Sequence, residues 1–88
     1  MKVPSKLTAN YVETQVDGEV LIVDLDGGEL FSLTGSALAV WRMIDGTRSA
    51  DRITDAMCRD FAGDPVKIRM ETAAFLAELT DARLVAFA

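Results

Sequence analysis

The chain contains no histidine. Imidazole is the commonest general base and metal ligand near neutral pH, so its absence excludes Ser–His and Cys–His catalytic arrangements and His-containing zinc sites. Cysteine is nearly absent as well. Cys58 stands alone, which rules out an internal disulfide and fits a reducing, cytoplasmic setting. Beside Met57 in a helical pattern, it reads as a small half-buried side chain and not as a nucleophile. No stretch approaches the roughly 18–20 consecutive apolar residues that a bilayer span needs. Met1 to Asn10 lacks the apolar core of an export signal. A membrane is therefore not an expected partner.

Cations are also scarce, with nine Lys and Arg against fourteen Asp and Glu and a net charge of −5. Nucleic-acid binding depends on clustered cations set against phosphates. Here Arg42, Arg48, Arg52, Arg59, Lys67 and Arg69 are scattered among acids, so no nucleic-acid partner is expected. The carboxylates offer no metal loop either. Asp24, Asp26 and Glu29 lack the later bidentate acid of a calcium hand. Gly27-Gly28 does not lead from a strand into a helix with a following Lys, as a phosphate cradle would. Turn formation accounts for both features. The expectation is a protein that is not an enzyme and needs no cofactor or metal.

What remains is the composition of one small globular domain: 88 residues, half of them apolar and about a quarter charged. Residues 1–9 mix polarities around Pro4 and are expected to form a flexible N-terminal arm, leaving residues 10–88 as the domain. Tyr11, Val12, Thr14 and Val16 are strand formers, and Asp17-Gly18 is a hairpin signal. Val20 to Leu25 is β-branched and nearly all apolar, which predicts a strand with both faces covered. Asp26-Gly27-Gly28 then turns the chain into Leu30-Phe31-Ser32-Leu33, completing a three-stranded antiparallel meander.

Beyond Leu33 the apolar period lengthens from two towards 3.6. Thr34 or Ser36 can cap a first helix bearing Ala37, Leu38, Val40, Trp41 and Ile44, with Gly46 as its stop. Ser49 caps a second helix with Ile53, Ala56, Met57 and Phe61 on one face, ended by Gly63. Asp64-Pro65 opens a third, running to about Thr80. Leu84 to Phe87 is a short apolar closing segment. Three strands followed by three helices make an α+β, winged-helix-like domain.

The third helix has two apolar sides. At about 100° per residue, Ile68, Thr72, Phe75, Leu76 and Leu79 form a core-facing stripe. Val66, Met70, Ala73 and Ala77 gather on nearly the opposite side. One reading has Val66 and Met70 touching the start of the chain or a homodimer partner. The other makes this face one wall of a peptide groove, whose second wall is the last strand of the meander with its unpaired backbone edge.

Val-Asp-Gly-Glu-Val-Leu-Ile-Val-Asp-Leu from Val16, then Gly-Gly-Glu-Leu-Phe-Ser-Leu to Leu33, resemble the PqqD-like proteins. So do Ala39-Val40-Trp41, Ile44-Asp45-Gly46-Thr47-Arg48-Ser49 with Ile53, and Phe75-Leu76, Leu79 and Leu84-Val85. These are the recognition elements of ribosomally made, post-translationally modified peptides. The resemblance implies a three-stranded sheet followed by three helices. It also implies that a precursor's leader peptide binds as an added strand beside the third strand of the meander, in the cleft against the third helix. Carried onto this chain, the strand contributes Glu29, Leu30, Phe31, Ser32 and Leu33, and the helix contributes Val66, Arg69, Met70, Ala73 and Ala77. Such a protein presents its peptide to a protease, a cyclase or a radical SAM enzyme. Two local signatures associated with pyrroloquinoline quinone synthesis are replaced here by Asp26-Gly27-Gly28 and Met43-Ile44-Asp45-Gly46, so a lasso-peptide or related pathway fits at least as well. Arg83 stands where a Gly commonly precedes the closing Leu-Val. The rival readings are a nucleic-acid-binding winged-helix regulator and a structural homodimer subunit.

Overall fold

A computed structural model describes residues 2–88 of the chain. Met1, the first residue of the expected arm, lies outside them. The rest of that arm is not frayed. Residues 4–6 form a strand, β1 (Pro4–Lys6), antiparallel to β5 (Val85–Phe87), with Pro4 opposite Phe87 and Lys6 opposite Val85. Pro4 is buried, and a two-stranded ribbon offers Pro an edge position where no ladder donor is required of it. The Leu7 N–H donates to the Leu84 carbonyl at 2.9 Å, extending the contact between the two ends of the chain. The partner of β1 lies at the far end of the sequence, so no local pattern reports the pairing.

A 3-10 turn over Thr8–Asn10 leads into the meander of β2 (Tyr11–Val16), β3 (Glu19–Asp24) and β4 (Leu30–Leu33), in spatial order β2-β3-β4. Gly18 at the first hairpin has φ +67°, the left-handed conformation that favours glycine. At the second turn the Asp24 carboxylate accepts from the N–H groups of Asp26 (3.0 Å) and Gly27 (3.3 Å), so Asp24 shapes the turn as expected. Only one face of β3 is covered. Val20 and Ile22 are buried, whereas Val23 is 38% exposed. The expectation of two covered faces fails because the core gathers on the side of Val20 and Ile22, where Trp41 of α1 meets Tyr11.

The helices are α1 (Gly35–Met43), α2 (Ala50–Asp60) and α3 (Pro65–Asp81). Thr34 is the N-cap of α1 through its backbone alone, without a side-chain bond. Ser49 caps α2 by accepting from the Arg52 N–H (3.2 Å), and Asp64 caps α3 by accepting from the Val66 N–H (3.0 Å). Phe61, read as part of the apolar face of α2, is its exposed C-cap.

Trp41, only 1% exposed, lies where sheet and helices meet. Its indole N–H donates to the Glu13 carboxylate on β2 at 3.0 Å. The Tyr11 ring stands edge-on to it at 5.5 Å, and the Lys6 ammonium lies 4.4 Å from the ring centroid. Partial burial lowers the Lys6 pKa, against the opposing pull of Glu13 and Asp45.

The end of α3 explains the replacement at position 83. The Arg83 N–H donates to the Thr80 carbonyl and the Leu84 N–H to that of Leu79, each at 3.0 Å. This is a Schellman closure, which requires a left-handed residue, and Arg83 supplies it at φ 61°. The Asn10 side-chain amide also donates to the Arg83 carbonyl at 2.9 Å.

Two stability outcomes follow. Trp41→Ala should cost about 3–5 kcal/mol, a large part of the roughly 5–15 kcal/mol typical of a domain; a thermal melt of the variant should show substantial unfolding. Arg83→Gly should raise the denaturant midpoint by about 0.5–1 kcal/mol of stability, because glycine adopts the left-handed conformation without the Cβ clash. A midpoint that stayed put or fell would show that the arginine side chain compensates for its backbone strain.

Candidate functional site

β4 pairs with β3 on one side and with no other described strand. Its register is Val20 with Leu33, Leu21 with Ser32, Ile22 with Phe31 and Val23 with Leu30. The Asp24 N–H donates to the Glu29 carbonyl at 2.9 Å, one step further along the same ladder. Hydrogen-bonded pairs alternate in an antiparallel ladder, so the backbone groups of Phe31 and Leu33 turn towards β3. Those of Leu30 and Ser32 turn outwards, to the open edge. The side chains divide the other way, with Leu33 buried and Phe31 half-buried against the core, while Leu30 and Ser32 are exposed. Ser32 is also held by a hydroxyl bond to the Glu19 carboxylate across the sheet. Glu29 stands at the entrance to the strand.

From Leu33 the chain passes through Thr34 into α1, whose Ser36, Ala37 and Val40 line a cleft of about 350 Å³. Met57 and Phe61 close it from α2, and α3 supplies Ile68, Glu71, Thr72, Ala74, Phe75 and Glu78. Ile68 and Phe75, expected on the core stripe, are half-buried and supply the apolar lining of α3. Glu71 and Glu78 are exposed at its margin, Glu71 with Lys67 at 3.9 Å. The chemistry is that of a binding surface: an apolar trough with carboxylates at its margin.

The structure divides the set expected from the sequence. Val66 and Met70 are 64% and 69% exposed and line neither cleft of α3. Arg69 donates to Asp55 on α2 at 3.1 Å. Ala73 and Ala77 line a different cleft, of about 710 Å³, with Lys2, Leu7, Val85 and Phe87. Val66, Arg69, Met70, Ala73 and Ala77 thus do not line one cleft together. A helical wheel separates a core face from its opposite, but here α1 and α2 load one flank of α3 and the β1–β5 ribbon loads the other. Glu71, Ala74 and Glu78 were missed for that reason. Their signal, acids and a small residue at three- and four-residue spacing on one flank, is also that of any solvated helix.

The family described as coenzyme PQQ synthesis protein D (PqqD) matches residues 19–85. The chain belongs to the PqqD family. No curated protein matches it. Two solved structures share the fold of this PqqD family member. TbiB1 in complex with the TbiA(beta) leader peptide superposes with a TM-score of 0.77 at 24% identity, over 91% of this chain and 93% of that one. A lasso peptide synthetase B1 complexed with the leader peptide gives 0.75 at 14% identity, over 88% and 91%. The family match begins at Glu19, so the cores of both the open strand and the cleft fall inside it.

Backbone direction along β4 is testable by proline scanning. Phe31→Pro removes an N–H that faces β3 and should unfold the sheet. Ser32→Pro removes one that faces the open edge, where proline is tolerated, and should leave the thermal midpoint much nearer that of the parent. Equal losses in the two melts would show that the edge is not open as described.

Proposed function

We propose that the chain binds the leader segment of a ribosomally made precursor peptide by strand addition at β4 and presents it to a modifying enzyme in lasso-peptide or related biosynthesis. The observation that carries this reading is the open edge at Leu30 and Ser32, on the strand that leads through Thr34 into α1 and so to the helix that lines the cleft with α2 and α3. An extended peptide satisfies the outward backbone groups and sets alternate side chains into the trough. Family membership and the descriptions of two fold relatives as leader-peptide complexes support it. The protein contributes binding and local concentration, while the chemistry belongs to a partner such as a protease, a cyclase or a radical SAM enzyme.

Ile68 and Phe75 favour an apolar anchor on the peptide, and Glu71 and Glu78 favour a Lys or Arg next to it. Titration calorimetry with the synthetic leader of the precursor should give micromolar or better affinity with neither metal nor nucleotide present. Glu71→Lys should weaken binding about ten-fold, equivalent to about 1.4 kcal/mol, at nearly unchanged thermal midpoint. Met70→Glu, on the far side of α3, should bind as the parent does. The reverse pattern would move the wall to the outer face of α3, and binding that required added metal would refute a cofactor-free recognition element.

A further inference from the structure

The side of the sheet turned away from the helices is apolar where an unpartnered antiparallel sheet is ordinarily polar. Val12, Val23 and Leu30 lie opposite one another across all three strands of the meander. They are 51%, 38% and 62% exposed, and Leu25 beside them is 59% exposed. Such a contiguous row marks an interaction surface more often than a solvated one.

The charge around this row says what covers it. From Tyr11 to Leu33 the sheet and its turns carry six acids and no Lys or Arg. Glu13 faces the helices, where it accepts from Trp41, and Asp24 binds its own turn, which leaves Asp17, Glu19, Asp26 and Glu29 around the outer row. Asp17 and Glu19 stand at the first hairpin, and Asp26 and Glu29 at the turn at the other end of the sheet. Two copies placed face to face would oppose these carboxylates to each other, which disfavours a second copy as the occupant. A surface with apolar side chains at its centre and Lys or Arg at its margin complements both features.

We infer that the outer face of the β2-β3-β4 sheet docks a basic, apolar-centred surface of the modifying enzyme. This rests on the proposed function for the identity of the partner. Leu30 and Ser32 belong to both the outer face and the open edge, so an enzyme seated there abuts a peptide strand added to β4. Recognition of peptide and of enzyme then share one strand without sharing side chains.

The test uses the full chain, the synthetic leader and the purified enzyme encoded with the precursor, measured by biolayer interferometry. Val12 lies on β2, at the opposite edge from the leader strand. Val12→Lys should weaken enzyme binding about ten-fold or more and leave leader affinity unchanged. Val12→Thr, which keeps the shape and strand propensity, should give a smaller loss in the same direction and covers the case in which the lysine variant misfolds. Asp17→Asn and Asp26→Asn should flatten the salt dependence of enzyme binding. Enzyme affinity equal to the parent's in both Val12 variants would overturn the inference. So would light scattering that showed a dimer of the parent converted to monomer by Val12→Lys, since a second copy would then be the occupant. A parent that bound the enzyme but not the leader would instead sink the proposed function and leave the docking face standing.

Discussion

The burial of Trp41 is the constraint on which the rest of the structure depends. One side chain of α1 contacts β2 through Glu13 and Tyr11, and β1 through the Lys6 ammonium. An indole buries a large apolar area while still needing a partner for its N–H, and Glu13 supplies that partner from the sheet. The pairing sets how α1 lies across the meander. Because only Thr34 separates β4 from α1, it also sets where the cleft lined by α1 lies along the chain from the open strand.

Closure of the chain on itself is the second constraint. A domain this small buries a limited share of its surface, and the β1–β5 ribbon adds Pro4, Leu84 and Val85 to the buried set. The ribbon occupies one flank of α3, and α1 and α2 occupy the other. The helix therefore offers two separate clefts in place of the single back face that a wheel describes. The Schellman closure at Arg83 turns the chain from α3 into β5, and a non-glycine residue in a left-handed conformation is tolerated there because two backbone bonds and the Asn10 amide hold it.

Functional surfaces follow from where these contacts stop. The sheet is packed on one face, β2 and β4 each pair only with β3, and its charged residues are all acidic, so its free edges and free face are the places left for partners. Among the described residues no group of three or more Cys, Asp and Glu side chains gathers to hold a metal ion. Affinity in such a protein comes from backbone pairing, apolar side chains and complementary charge.

Local patterns in the sequence determined the order of strands and helices, the capping by Ser49 and Asp64, the turn at Asp24 to Gly28, the burial of Trp41 and the open last strand of the meander. Each depends on neighbours within a few residues or on a short apolar period, which a single chain displays directly. The family resemblance, carried by the ordered set from Val16 to Val85, pointed to the strand side of the site. Only the tertiary structure decided that residues 4–6 are a strand, that β3 has one bare face, and that Glu71, Ala74 and Glu78, not Val66, Met70 and Ala73, share a cleft with the start of α1. Those features depend on contacts between segments distant in sequence. The periodicity of a helix tells which of its residues lie together, but what packs against each side is settled by the rest of the chain.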